Sequence, residues 1–195
     1  MRHPFADRWN HNTDHYPRLL ALVPRTAQHL VDVGCGDGTF CRYAAGRVPS
    51  VSGIDPDASV LPDPGDGVAY QQGTAERLPF ADGSVDAVTM TAVLHHCDVP
   101  AALAEVRRVL APGGVLLVLG IGGFGGWRDV PFEARDVLTH QVLSRVHTPW
   151  EPPTVRTAPG LTWDQTRTLV DEHLQGATHR RLPLWRSLTT WRQPA

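Results

Sequence analysis

Between residues 31 and 38 the chain reads VDVGCGDG, with Gly34, Gly36 and Gly38 alternating with a cysteine and an aspartate. The run follows a short apolar β-type segment and opens a helical one. Glycine in a strand-to-helix turn lets the backbone pass close beneath a ligand. Two ligand classes use such a loop. One is a dinucleotide, whose pyrophosphate rests on the N-terminus of the following helix. The other is S-adenosylmethionine, whose methionine end carries an ammonium beside a sulfonium. The charges separate them. Asp32 stands two residues before Gly34 and Asp37 lies in the loop itself. Two carboxylates repel a pyrophosphate and attract a cationic methionine moiety. The dinucleotide fingerprint also needs a third glycine where this chain has Thr39.

Asp55 closes the next apolar segment, VSGID, 21 residues after Gly34. A carboxylate at that spacing can accept both hydroxyls of a ribose, as the dinucleotide fold does with an acid about 20 residues on. Asp57 reads as a turn or helix-cap residue. His95 and His96 end the segment VDAVTMTAVLHH, and imidazole titrates near neutrality, so either can take a proton. One of them capping a sheet edge and the other facing solvent is the plain alternative. The N-terminal stretch RWNHNTDHYPRLL is dense in aromatic and imidazole groups. Its Tyr16 could reach a carboxylate and its His11 or His15 an acceptor; equally it could be a surface helix anchored by Trp9, Tyr16 and Leu19. Phe124 and Trp127 could stack on a planar substrate or serve as packing. Trp185 and Trp191, at strand spacing, read as core, and Cys41 as a small buried hydrophobe.

The elements that must position these groups alternate between strands and helices. Residues 14–23 read as a short helix around Pro17, 29–33 as a strand, and 39–46 as a helix. Strands follow at 51–55, at 68–73 and within 85–94, with a Pro-, Gly- and Asp-rich loop at 56–67. PAALAEVRRVL (100–110) opens with a proline suited to a first helical turn and repeats Leu103, Val106 and Leu110 at helical spacing. Pro112–Gly114 reads as a turn before the buried strand 115–120. This alternation implies right-handed βαβ crossovers and a parallel sheet. From Gly120 to Leu161 lies a segment rich in Gly, Pro and Trp, with one helix near 132–146; long irregular segments of this kind tend to be lids or binding loops. A helix over 162–174 and two strands without a helix between them, an antiparallel pair, finish the chain.

These landmarks resemble class I S-adenosylmethionine-dependent methyltransferases of the UbiE-like, methyltransferase-11 type. VDVGCGDGTF is similar to their first motif and GIDPD to their ribose-binding strand end. GTAERLPFADGSVDAVTMTAVLHH (73–96) and EVRRVLAPGGVLLVL (105–119) resemble the segments that follow. The resemblance covers residues 29–120. It implies an α/β, Rossmann-like, doubly wound seven-stranded sheet in the order 3-2-1-4-5-7-6 with the last strand antiparallel. It further implies one domain over 1–195, with an N-terminal helical lid (1–28), a cofactor core (29–120), a substrate-side insert (121–161) and a closing helix and hairpin (162–195). The implied cofactor is S-adenosyl-L-methionine, leaving S-adenosyl-L-homocysteine. Asp32, Gly34, Cys35 and Gly36 would lie along its methionine part. Asp55, with Pro56 after it, would hold the ribose, while Thr74, Ala75 and Glu76 border the adenine. Thr91, Ala92 and Leu94 would close over it, and Tyr16 would bond its carboxylate. Relatives often carry Asp at the place of Thr74, so the resemblance does not carry that side-chain contact over to this chain. His95 and His96, and more remotely His15, are the candidate bases.

Bulk composition sets outer limits. The 195 residues are 42% hydrophobic and 19% charged, with a formal charge of −2, which describes a globular chain. No dense basic run marks a nucleic-acid partner. Three cysteines without CxxC spacing argue against a disulfide framework or zinc site, and nothing indicates a metal. The start lacks a signal-peptide core, and Gly113–Phe124 is too short to span a bilayer, so a cytoplasmic setting without membrane contact is expected. The expected partner is a small-molecule acceptor of the secondary-metabolite kind, with the chain acting as a monomer or homodimer. Two other readings remain: a non-catalytic binding subunit on the same scaffold, and a nucleotide-dependent oxidoreductase, which the loop charges disfavour.

Overall fold

The strand ahead of the glycine loop is β1, His29–Val33, and it lies inside the sheet between β2 and β4. A computed structural model describes residues 3–63, 65, 67–153 and 160–195 of the chain. The other strands are β2 (Ser50–Asp55), β3 (Val68–Gln72), β4 (Val85–Thr91), β5 (Leu110–Gly120), β6 (Thr178–Leu182) and β7 (Arg186–Arg192). Their order is β3-β2-β1-β4-β5-β7-β6. β1 pairs in parallel with β2 and β4, β2 with β3, and β4 with β5, whereas β7 runs antiparallel to both β5 and β6. The predicted order and the reversed last strand are both present.

Side-chain alternation explains why both faces need helices. In β1, Val31 and Val33 join one core and Leu30 the other; in β5, Leu116 and Val118 join the first and Val115, Leu117 and Leu119 the second. A strand that is apolar on both sides is stable only when both faces are covered. Helices α3 (Val99–Val109) and α5 (Trp163–His173) cover the first face through Ala102, Leu103, Val106 and Val170. Helices α1 (Tyr16–Leu22) and α2 (Thr39–Ala45) cover the second through Leu19, Leu20, Phe40, Cys41 and Ala44. Asp98 caps α3 by accepting from the Ala101 amide, and a reciprocal Thr162–Gln165 capping box starts α5.

Two expectations need correction. Pro112–Gly114 does not end a separate element: β5 begins at Leu110, and its pairing with β4 jumps from Val85–Leu110 to Ala87–Val115. The extra residues form a bulge that turns through the left-handed Gly113 (φ 76°) yet stays in the ladder because β7's continuation supplies hydrogen-bond partners. The Gly113 amide donates to the Gln193 carbonyl, and the Gln193 amide to that of Gly114. Trp185 is not a core strand residue like Trp191. It sits in the β6–β7 turn, where Leu184 and Trp185 both have positive φ.

That turn is held by the insert helix α4, Val130–Val146. Asp136 of α4 is completely buried; its Oδ1 lies 2.7 Å from Arg135 Nη2 and its Oδ2 accepts the Trp185 amide at 3.0 Å. Glu133 accepts the Trp185 indole N–H at 2.7 Å. The N-terminal segment docks beside them, with Trp9 buried and paired by backbone hydrogen bonds to residues 148–150. Removing the Asp136 carboxylate leaves the Trp185 amide without its acceptor and the Arg135 guanidinium with the Leu182 carbonyl alone. Asp136→Ala should therefore lower stability in urea by about 3 kcal/mol. A loss below about 1 kcal/mol would show that the turn does not depend on this pair.

Candidate active site

The glycine loop is built from three left-handed residues in alternation, Gly34, Gly36 and Gly38, with φ of 69°, 53° and 70°. Space as well as conformation demands glycine here. A β-carbon at Gly34 would lie 2.2 Å from Val93 Cγ2, and one at Gly38 would lie 2.3 Å from the Tyr70 hydroxyl. The Gly34 and Cys35 amides donate to the Ile54 carbonyl, so the loop is pulled toward the end of β2. Asp55 completes that tie. Its Oδ2 accepts the Gly36 amide at 2.8 Å and its Oδ1 the Asp57 amide at 3.0 Å. Each carboxylate oxygen keeps lone-pair capacity for a further donor.

Asp32 lies underneath. It is buried, accepting from the Thr89 hydroxyl at 2.6 Å and facing the Cys41 thiol at 3.6 Å. Burial, with Asp55 adding to it, pushes its carboxyl up to about 7 against the downward pull of those two hydrogen bonds. Asp37 is turned into the loop. Both of its carboxylate oxygens bond Thr39, and Arg42 Nη2 is 3.9 Å away. The Cys35 side chain points inward, toward Gly53, so its backbone alone faces the loop. Tyr16 packs its ring on Phe5 and Phe40, and burial together with Asp32 and Asp37 pushes its hydroxyl above the usual phenol range.

The far wall is the end of β4. Thr91 Oγ1 is buried and has no hydrogen-bond partner among the described residues. Ala92 follows at φ 55°, a conformation that side chains resist, with its amide on the Leu119 carbonyl. Leu94 is buried in the first core. His95 and His96 occupy the 3-10 turn Leu94–His96, with ring centroids 3.9 Å apart; His95 is half-buried and His96 exposed. Thr74 and Ala75 enter a turn after β3, with Ala75 in the core, while Glu76 Oε1 accepts the Asp98 amide and so ties this turn to the head of α3. Pro56 is exposed and its carbonyl accepts from Gln72. One cleft, of about 690 Å³, is bordered by Gln72, Gly73, Thr74 and Arg77, and another, of about 370 Å³, lies between the N-terminal segment and Thr39, Arg42 and Tyr43 of α2.

The structure thus brings Asp32, Gly34, Gly36, Asp55 and Thr91 to one end of β1, β2 and β4. It draws His15 elsewhere: that ring is buried and bonded to the Pro183 carbonyl at 2.9 Å, at the β6–β7 turn. Phe124 and Trp127 are exposed, so neither serves as packing. Beside the insert, the Arg181 guanidinium lies 4.2 Å from the Trp163 ring centroid and 4.5 Å from that of Phe132, with Asp129 on Nη1 at 3.0 Å. Its Nε and Nη2, and the Trp163 Nε1, are buried without a partner among the described residues. The sequence reading missed Thr89, Tyr70, Val93 and Arg181. Thr89 was detectable, because a parallel register sets it beside Asp32 and both interrupt apolar strands.

A cationic ligand fits this arrangement better than an anionic one: an unneutralised buried acid, a second acid at the strand end and an unpaired hydroxyl face the same loop. The sign of the Asp32 shift makes a test. Below about pH 4 the residue is protonated in folded and unfolded chains alike. Between about 4 and 7 the folded chain keeps a proton that the unfolded chain has lost, so this group's contribution to stability falls as pH rises. Asp32→Asn removes that slope. Urea midpoints of variant and parent should lie close together near the lower limit and diverge above the upper one, the variant being the more stable; parallel midpoints would refute the shift.

Comparison with known proteins agrees with this geometry. A methyltransferase-domain family model, methyltransferase-11, matches residues 31–118. An uncharacterised methyltransferase of Mycobacterium tuberculosis is 33% identical over 95% of this chain and 98% of its own. A ubiquinone/menaquinone biosynthesis C-methyltransferase of Paracoccus denitrificans is 39% identical over 50% of this chain and 44% of its own. Among solved structures, an S-adenosylmethionine-dependent methyltransferase of Mesorhizobium loti superposes with a TM-score of 0.59 at 18% identity, covering 91% of this chain and 97% of that one. The chain belongs to the class I S-adenosylmethionine-dependent methyltransferases, of the methyltransferase-11 type.

Proposed function

We propose that this methyltransferase acts on a small-molecule acceptor bound between the loop after β4 and the insert that carries α4. The observation that carries the reading is the convergence of Asp32, Asp55 and the unpartnered Thr91 hydroxyl around three left-handed glycines. Bound S-adenosylmethionine supplies an electrophilic methyl on a sulfonium. The chain's part is to hold nucleophile, methyl and sulfur in line, which is catalysis by orientation.

Each residue then has a definite task. Gly34 and Gly36 let the methionine part approach the backbone, and Asp32 beneath them stabilises its positive charge through a low-dielectric layer. Asp55 accepts the ribose hydroxyls while keeping the Gly36 amide. Thr91 donates to the ligand from the opposite wall, and Tyr16 bonds its carboxylate. The turn from Thr74 to Glu76 borders the adenine. His95 or His96 accepts the acceptor's proton; a positioned imidazole is typically worth about 10²–10⁴ in rate. Arg181 and Trp163 offer unpaired N–H groups to a polar oxygen of the acceptor. The UbiE-type relative, named as a C-methyltransferase of quinone biosynthesis, supports a small organic acceptor rather than a nucleic acid.

Calorimetric titration tests the cofactor half. S-adenosylmethionine and S-adenosylhomocysteine should bind, NAD should not, and Asp55→Ala should weaken both adenosyl ligands at least tenfold, about 1.4 kcal/mol. Binding of NAD alone, or unaltered affinity in the variant, would overturn the assignment. For the base, His95→Ala combined with His96→Ala should cut turnover of a labelled-methyl acceptor by about 10²-fold or more while leaving S-adenosylhomocysteine affinity unchanged. Equal turnover would remove both residues from the mechanism.

A further inference from the structure

Four buried N–H groups beside the insert have no acceptor among the described residues. Arg181 of β6 carries five N–H donors, and its one side-chain partner is Asp129, on Nη1 at 3.0 Å. Its Nε and Nη2, which hold three of the five, are buried and unpaired, and so is Nε1 of Trp163 in the first turn of α5. The Trp163 ring centroid lies 4.2 Å from the guanidinium carbon and that of Phe132 4.5 Å. Two rings cover the guanidinium and Asp129 takes one corner, which leaves the Nε–Nη2 edge. Folded proteins pair nearly all buried donors, so a set left open in one place points to a missing partner. Tying α4 to β6 needs only the Nη1 contact and does not account for the rest.

The open edge and its surroundings decide what that partner is. Nε and Nη2 are parallel donors whose spacing matches the two oxygens of a carboxylate. The other cations nearby are already engaged. Arg135, the second guanidinium on Phe132, holds Asp136 and the Leu182 carbonyl; Arg128 lies over exposed Trp127; Arg186 bonds Asn12 and two carbonyls. The acids are engaged as well, Asp129 by Arg181 and the Gly125 amide, Glu133 by the Trp185 indole. A phosphate dianion would meet a single guanidinium already shared with Asp129. A monoanion is the better match.

We propose that the Arg181 fork, completed by the Trp163 indole N–H, binds a carboxylate of the methyl acceptor, so that the acceptor is an organic acid. The inference rests on the small-molecule reading above and narrows it to one chemical class. Strand register puts the fork at the same edge of the sheet as Thr91. Arg181 pairs with Ser187, Ser187 with Gly120, and Gly120 follows Leu119, the partner of Thr91. Three strand spacings, about 14 Å, separate β6 from β4. The carboxylate is therefore a handle, and a different atom of the acceptor meets the methyl. Access to the enclosed edge lies with the segment from β5 to α4. Gly122 packs on the Trp163 ring so closely that a β-carbon would come within 2.5 Å, and the Gly123 amide donates to the Leu161 carbonyl. Five of residues 120–126 are glycine, which gives this segment the backbone freedom to shift and admit the acid.

Nuclear magnetic resonance of the isotope-labelled full chain, saturated with S-adenosylhomocysteine, tests the proposal. The six tryptophans give six indole N–H signals, and Trp163→Phe identifies one by its loss while keeping a ring against Arg181. Benzoate, phenylacetate and octanoate are the probes, each compared with its neutral amide. At least one acid should shift the Trp163 signal with a dissociation constant of about 1 mM or lower, and its amide should bind at least about tenfold more weakly. Arg181→Gln should weaken the acid by about tenfold or more, and Arg181→Lys should not restore it, because an ammonium lacks the fork. Trp163→Phe should weaken it by about threefold, the share of one hydrogen bond, and this variant decides the matter if Arg181→Gln does not fold. S-adenosylhomocysteine affinity equal to the parent's certifies that a variant is folded. No shift with any acid, amides that bind as tightly, or acid affinity indifferent to the variants overturns the proposal. Inorganic phosphate binding more tightly than every acid also overturns it, assigning the fork to a phosphorylated ligand. Failure of the parent to bind S-adenosylhomocysteine is a separate result. It removes the cofactor reading, and the same titrations without that ligand then decide the fork by the same criteria.

Discussion

One carboxylate, Asp32, sets the terms for the cofactor half of the molecule. It sits in the interior strand β1, beneath the glycine loop, with a hydroxyl from β4 and a thiol from α2 as its protein partners. Burying an acid without an opposite charge is costly, and its raised pKa records that cost. The arrangement therefore stores a preference for positive charge directly under the loop. It also fixes neighbours: Thr89 must stand beside it in the parallel register, and Cys41 must face inward from α2. A loop of larger residues above it would push a ligand out of reach, so the three glycines and the acid make sense only together.

The second constraint is crowding. Val93 presses on Gly34 and Tyr70 on Gly38, so the loop's path is imposed by β3 and by the segment after β4 as well as by its own sequence. Asp55 joins the same unit from β2 through the Gly36 amide. The end of β2, the middle of β3 and the segment after β4 thus support one short loop that continues β1. The left-handed Ala92 at the end of β4 belongs to this unit, since its amide is held by β5 while the next residue covers Gly34.

Most of this half was legible in the sequence. Strand runs bounded by glycine and aspartate, a proline-opened helix and the spacing from Gly34 to Asp55 are local signals, and local chemistry decided those elements. What escaped was decided by distant partners. Pro112–Gly114 looks like a turn, yet hydrogen bonds from Gln193 keep it in β5. Trp185 has the spacing of a strand residue, yet two acids on α4 draw its amide and indole into the turn. His15 reads as a possible base, but a carbonyl at Pro183 claims its ring. The orientation of α4 was hidden for a different reason: Val137, Leu138 and Val142 have the residue types of a core face, yet they are exposed while Asp136 is buried on the opposite side.

The two halves of the fold are consequently stabilised by different means. The cofactor half rests on close packing and glycine geometry, in which a single methyl group is enough to interfere. The half that carries α4 is fastened by separate polar contacts: Asp129 with Arg181, Glu133 with Trp185, His11 with His140, and Asn12 with Arg186. Burial, Arg186 and His140 depress the His11 pKa to about 4, so its ring is neutral at physiological pH and the His11–His140 contact is a hydrogen bond rather than a clash of cations. Contacts of this kind are exchanged one at a time, at about 1 kcal/mol each, without disturbing a packed core. A scaffold divided in this way can alter the surroundings of α4 while the glycine loop and the strands beneath it stay fixed.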